Sequence, residues 1–207
     1  VLNTETAETV WNICNKVLHQ DNMSARGIIL KSGVTHLCTT DDPADSLEWH
    51  KVILEDKSFP VQELPAWRPD AAMKIADKGY ADYIMKLSKA ADMDIECYDD
   101  FKKALIKRLE FFDTMGCRAS DHSLDYAMYA PATESEIEDI FAAALIGDDI
   151  TYEEELKFKT AFLLFMGKEY KRLGWVMQLH YGVKRDNNGE LFRTFGVNAG
   201  CDCINSY

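Results

Sequence analysis

Apolar residues along this chain recur in two periods. Four runs are short and end abruptly in polar residues: 34–40, followed by Asp41-Asp42-Pro43; 61–66, followed by Trp67-Arg68-Pro69-Asp70; 117–120, followed by Asp121-His122; and a run from Trp175 that closes on His180-Tyr181-Gly182. Runs of this length, broken by acids, Pro or Gly, predict buried parallel strands whose carboxyl ends open onto loops. Between them the apolar positions follow helical spacing. Val10, Ile13, Cys14, Val17 and Leu18 mark one face of a helix over about 4–20, with Thr4 or Thr6 as N-cap candidates. Ser24 is placed to cap a helix over 25–31 that stops at Gly33, and Asp45 or Ser46 to cap another carrying Leu47, His50, Val52 and Leu54.

Residues 71–116 carry only helical signal, with Phe101, Leu105, Leu109 and Phe112 on one face and Gly116 as the stop. Two further helices are predicted. One, over 134–145, buries Ile137, Ile140, Phe141 and Ala144; the other, over 153–173, buries Leu156, Phe162, Phe165 and Met166, and Gly147-Asp148-Asp149 turns between them. Strands alternating with helices define an α/β fold with parallel pairing and right-handed crossovers. The expectation is a single domain over 1–207 with helical insertions at about 71–116 and 130–173. Four such strands suit a small open sheet or half of an eight-stranded barrel, and the pattern does not separate the two.

At 207 residues the chain is long enough for one sizeable core and short for two. Its net charge of −12 argues against nucleic acid, whose phosphates need a basic surface. No apolar run approaches the ~20 residues a membrane span needs, and no signal-peptide pattern is present. The six cysteines are scattered through helix and strand patterns, which predicts reduced cytosolic thiols. Cys201-x-Cys203 lacks a second ligand pair at zinc spacing. A start at Val1 without an initiator Met predicts a piece of a longer protein.

Parallel α/β folds bind ligands at the carboxyl ends of their strands. The candidates there are Asp41, Asp42, Arg68, Asp70, Asp121, His122, His180 and Arg185. Acids, histidines and two arginines suit a small anion, because Arg grips a carboxylate in two parallel hydrogen bonds and Asp or His moves a proton. Plainer roles compete. Asp41-Asp42-Pro43 with Asp45-Ser46 reads as helix capping, Arg68-Pro69-Asp70 as a turn held by its own ion pair, and Ser120-Asp121-His122-Ser123 as a capping turn. Nothing around Ser120 resembles a nucleophile elbow. His180 ends an apolar strand, where a polar ring needs a partner or a ligand; His19, His36 and His50 read as surface or packing residues.

Taken together, several motifs resemble one family. They are Ser24-Ala25-Arg26-Gly27, Cys38-Thr39-Thr40-Asp41-Asp42-Pro43, Leu64-Pro65-Ala66-Trp67-Arg68-Pro69-Asp70, Ser120-Asp121-His122-Ser123-Leu124-Asp125, His180-Tyr181-Gly182 through Asn187-Asn188, and the closing Cys201-Asp202-Cys203-Ile204-Asn205. In this order they resemble the uronate isomerases (glucuronate/galacturonate isomerases) of the amidohydrolase superfamily. The resemblance implies a (β/α)8 TIM-type barrel of which this chain holds strands two to five. It implies an aldose–ketose isomerase of the bacterial cytoplasm that interconverts D-glucuronate with D-fructuronate and D-galacturonate with D-tagaturonate. Asp121 and His180 would be catalytic at the reacting end, and Arg68 and Arg185 would contact the uronate carboxylate or hydroxyls. A divalent metal, zinc by expectation, would have its main ligands outside this chain, with His180 as a candidate ligand within it. The implied partners are the remaining barrel segments or a second copy of the chain.

The chain departs from the family pattern at Phe195-Gly196-Val197-Asn198-Ala199-Gly200, where the family tends to read Leu-Gly-Pro-Asp-x-Gly. Two rival readings stand beside the isomerase: a metal-dependent hydrolase of the same superfamily, and a non-catalytic fragment or interaction module. The isomerase reading requires Arg68, Asp121, His180 and Arg185 to converge on one face.

Overall fold

The predicted apolar runs pair side by side and parallel in the computed structural model, which describes residues 1–197 and 199–205. Asn198 of the divergent stretch, with Ser206 and Tyr207, lies outside the described residues. Cα packing groups the chain into two units, Val1–Thr39 with Glu48–Leu64 and Thr40–Leu47 with Pro65–Tyr207.

The smaller unit carries α1 (Ala7–Leu18), α2 (Ala25–Lys31), β1 (His36–Cys38), α3 (Glu48–Glu55) and β2 (Gln62–Leu64). The two strands pair parallel in the register His36 to Gln62. Ser24 caps α2 by accepting from the Gly27 N–H at 3.1 Å. A Cβ on Gly27 would sit 2.3 Å from the Asn22 carbonyl oxygen, so only glycine fits there. Arg26 ties α2 to the end of α3 through Asp56 at 2.7 Å and lies over the Phe59 ring. The apolar stripe expected on α1 forms as a helix face but buries no residue.

The larger unit holds the main core. Its strands run in chain order through single bridges, Asp41 to Trp67 and Trp67 to Ser120, and then through the β3 (Ala119–Ser123) and β4 (Val176–His180) ladder, in which Ser120 faces Met177. Helices α4 (Asp70–Met73), α5 (Tyr80–Ala91), α6 (Tyr98–Thr114), α7 (Glu134–Ile146) and α8 (Tyr152–Leu173) supply the core. Phe101 of α6, Phe141 of α7 and Phe158 and Phe162 of α8 are fully buried, with the Phe101 and Phe141 centroids 5.2 Å apart. Thr133 and Thr151 each form a capping box with the Glu three residues on, which fixes where α7 and α8 begin.

The structure changes several sequence expectations. The helical stretch 71–116 resolves into α4, α5 and α6. The third strand lies later than 117–120, because the Cys117 N–H closes the end of α6 on the Phe112 carbonyl at 3.0 Å instead of joining the sheet. Ser120-Asp121-His122-Ser123 is therefore strand and not a capping turn. Asp45 accepts from the Leu47 N–H at 2.7 Å, a local turn, and α3 starts only at Glu48 after Leu47 adopts a φ of 52°. Along α8, Phe158 and Tyr170 are core residues, whereas Leu156 and Phe165 are half-buried. The pattern missed α9 (Gly189–Phe195) and the antiparallel pair β5 (Val183–Lys184) and β6 (Cys203–Ile204), all too short to show a period. No described helix is long and apolar enough to cross a membrane.

Arg108 of α6 is the polar centre of this packing. It is 8% exposed and donates to the carbonyls of Pro43 at 2.7 Å, Asp45 at 2.6 Å and Ala90 at 3.1 Å, while its guanidinium lies 4.3 Å from the Phe111 centroid. Replacing it with Met leaves those carbonyls without their donor. Arg108→Met in the full-length protein is expected to lose about 2–4 kcal/mol of stability. A urea midpoint that falls with unchanged slope would show this, and an unchanged midpoint would not.

Candidate functional site

Register sets the site. Because Trp67 lies opposite Ser120, Arg68 falls opposite Asp121, and both leave the sheet on the face away from the buried indole. The Trp67 ring packs edge-on against Phe112 at 5.0 Å and near Trp175 at 6.5 Å, so the neighbouring Arg68 is turned out of the helical core. Arg68 binds Asp70 through Nε at 2.9 Å and approaches Asp121 through Nη1 at 3.4 Å. Asp70 also accepts from the Ser123 N–H at 3.0 Å, which joins the start of α4 to the end of β3.

Asp121 sits between the Arg68 guanidinium and the His180 ring. Its side chain is 9% exposed, and His180 Nδ1 lies 2.6 Å from Oδ1. That approach is out of line for a hydrogen bond, so Oδ1 is a buried carboxylate oxygen without an aligned donor. On the other side of the His180 ring, the Gln178 amide nitrogen stands 2.9 Å from Nε2. An amide N–H can only donate, so Nε2 is the accepting nitrogen and the Nδ1–H faces Asp121. Arg185 completes the group: Nη1 binds Asp202 at 2.6 Å, and Nη2 reaches the Ser123 hydroxyl at 3.4 Å. Arg68, Asp121, His180 and Arg185 thus join through direct contacts and the Ser123–Asp70 link. A cavity of about 550 Å³ opens beside them, with Arg68, Asp70, Ser123 and Arg185 in its wall.

The remaining candidates fall elsewhere. His122 alternates to the helix side of β3, fully buried, with Nε2 3.0 Å from the Tyr170 hydroxyl of α8. Burial holds its pKa down at about 4, so it packs as a neutral ring and does not enter the site. Asp41 accepts from the Ala66 N–H at 3.2 Å, and Asp42 accepts from the Ala44 N–H at 2.9 Å while burial raises its pKa. Both shape the first loop, close to the capping role considered for them. His50 is buried and bonded to the Thr39 hydroxyl at 2.8 Å, and His19 and His36 are exposed. Sequence reasoning missed Ser123 and Asp202, although both stand inside recognised motifs. It also missed Lys74 and Lys159 in the cavity wall, which helical periodicity marks only as polar positions.

Comparison with known proteins decides the family. A profile of the family described as glucuronate isomerase matches residues 1–207. The chain belongs to the glucuronate isomerase family. It is 54% identical over 205 residues to the uronate isomerase of Lachnoclostridium phytofermentans, covering 99% of this chain and 44% of that protein. It is 53% identical to the uronate isomerase of Lachnospira eligens, covering all of this chain and 44% of that one. The crystal structure of uronate isomerase from Thermotoga maritima superposes with a TM-score of 0.92 at 34% identity, over 100% of this chain and 45% of that chain. Glucuronate isomerase from Caulobacter crescentus gives 0.89 at 26% identity, over 100% of this chain and 43% of that chain. The mixed α/β fold is therefore the fold of a uronate isomerase segment, and the chain spans under half the length of the relatives it matches.

The buried ring of His122 generates a pH prediction. Above pH 6.5 the group is neutral folded and unfolded, and it contributes no pH dependence. As pH falls toward 4, the unfolded chain takes up a proton that the folded chain refuses, so stability declines with falling pH by about 1.4 kcal/mol per unit through this group. Urea midpoints of the full-length protein measured from pH 7 to 4.5 should show this slope, and His122→Gln should flatten it. Equal slopes in both proteins would contradict the assignment.

Proposed function

We propose that the full-length protein to which this segment belongs is a uronate isomerase, converting D-glucuronate to D-fructuronate and D-galacturonate to D-tagaturonate in hexuronate breakdown in the bacterial cytoplasm. The observation that carries the reading is the Asp121 carboxylate set between Arg68 and His180 at the strand ends. Aldose–ketose isomerisation moves a proton between C2 and C1 through an enediol, and it needs proton-transfer groups next to positive charge. In this reading Asp121 and His180 hold and move protons beside the C1–C2 pair. Arg68 and Arg185 hold sugar oxygens and orient the open chain across the cavity.

A divalent metal, zinc in this reading, fits the donor chemistry of His180. The Gln178 amide selects the tautomer with a lone pair on Nε2, and a metal would take that lone pair in place of the amide hydrogen it now accepts. Among the described residues no cluster of three or more His, Cys, Asp or Glu can hold a metal, so the other ligands would come from outside this segment. When bound, such an ion polarises the sugar carbonyl.

The same reading makes the segment strands two to five of an eight-stranded barrel in the amidohydrolase superfamily, one domain with the helical insertions described above. Val176 and Leu179 of β4 are 66% and 40% exposed, which supports a sheet that continues into further barrel segments or meets a second copy of the chain.

An isomerase assay on this segment and on the full-length protein, with and without added divalent metal, tests the proposal. Activity in the full-length protein alone is the expected result; inactivity of both toward uronates, with hydrolysis of lactones or amides instead, would favour the hydrolase. Asp121→Asn and His180→Asn in the active protein are each expected to lower kcat by about 10²–10⁴. Retained activity in both would remove them from the chemistry.

A further inference from the structure

Glu63 stands where a parallel strand normally carries an apolar residue. It lies opposite Leu37 in the β1–β2 register, so both side chains leave the sheet on the face that α2 and α3 cover. Positions on that face of a parallel sheet are apolar as a rule. Glu63 is half-buried, and its Oε2 is sealed from solvent with no hydrogen-bond partner. Among the described residues no ion pair reaches it. Arg26, the cation that shares its groove, is committed to Asp56 at 2.7 Å and lies 4.5 Å from the Phe59 ring centroid.

That groove lies between α2 and α3, within the smaller unit, and has a volume of about 330 Å³. Ile29, Leu37, Val52, Ile53 and Phe59 give it apolar walls. Its other two charged groups neutralise each other. Asp56 binds Arg26 and also accepts from the Ser58 N–H at 2.9 Å and the Ser58 hydroxyl at 2.6 Å. One negative charge in an apolar groove is therefore left without a counter-charge. A buried carboxylate without a donor is costly, and a cation that brings its own N–H groups removes that cost. The terminal torsion of a glutamate is broad, so a small turn presents either oxygen to the groove. An anion would be repelled there, and a neutral apolar molecule would leave the carboxylate unsatisfied. The volume is at the small end for a ligand site, which suits a small molecule.

From this pairing of an unsatisfied carboxylate with apolar walls, we infer that the groove between α2 and α3 binds a primary alkylammonium ion. The ammonium sits on Glu63, and the alkyl chain runs along Ile29, Val52 and Phe59. The inference does not rest on the isomerase reading, and none of the groove's residues lines the cavity beside Asp121.

The test uses the full-length protein and two probes of equal chain length, n-pentylammonium chloride and the neutral 1-pentanol. Calorimetry and ligand-observed NMR follow binding to wild type, Glu63→Gln and Val52→Trp, with urea midpoints to confirm that each variant is folded. Wild type should bind the ammonium saturably and at least about tenfold more tightly than the alcohol, the worth of a charge-assisted contact. Glu63→Gln keeps the shape of the side chain and should bring the two probes to within about twofold of each other. Val52 is 56% exposed, so an indole there is tolerated; it should fill the groove and abolish binding of both probes. Should one variant fail to fold, the other decides. No saturable binding to wild type, an unchanged preference for the ammonium in Glu63→Gln, or unchanged binding in Val52→Trp would each overturn the inference. Turnover of uronates is a separate readout, so failure of the groove site leaves the isomerase reading as it stands.

Discussion

The backbone of Trp67 donates to the Ala119 carbonyl at 3.1 Å and accepts from the Asp121 N–H at 2.8 Å, while its indole is sealed beneath the helices with no exposed surface. These two bonds fix the register between the second and third strand runs. In a sheet, a slip of one residue would turn every side chain to the opposite face. Depending on which strand shifted, Arg68 would enter the core or His122 would replace Asp121 at the strand ends. The large apolar ring makes such a slip expensive, because full burial of a Trp is among the larger single contributions a core residue makes. Packing of a tryptophan thus determines which acid meets which arginine.

Around that register the helices α5 to α8 supply the apolar burial that offsets what the charged group costs. Asp121 is a buried carboxylate with one oxygen lacking an aligned donor, and arrangements of that kind cost free energy unless surrounding structure imposes them. The Phe101, Phe141, Phe158 and Phe162 cluster and the carbonyl-binding Arg108 lie on the opposite side of the sheet from the charged group, in the helix layer. The division is the usual one for parallel α/β folds, with a rigid apolar layer below and reactive side chains at the strand ends.

Much of this arrangement was legible in the sequence. The alternation of short apolar runs with helical periodicity gave parallel pairing, and Ile137, Ile140, Phe141 and Ala144 are the residues α7 buries. Arg68, Asp121, His180 and Arg185 meet through contacts the strand-end argument anticipated. Long-range context hid the rest. The exact start of β3 depends on Cys117 bonding back to α6, a tertiary preference that apolar pattern does not encode. His122 and Asp121 are adjacent and equally polar, and only the register says which one meets Arg68 and which one packs on the helices. Asp202 lies 17 residues from the arginine it holds, joined through a two-residue strand pair too short to leave a period.

The most direct test of the central claim is a crystal structure of the full-length protein with D-glucuronate bound. The account predicts that the sugar lies in the cavity lined by Arg68, Asp70, Ser123 and Arg185, with C1 and C2 beside Asp121 and His180. A sugar bound elsewhere, or one lying in the cavity with C1 and C2 directed away from Asp121 and His180, would contradict it.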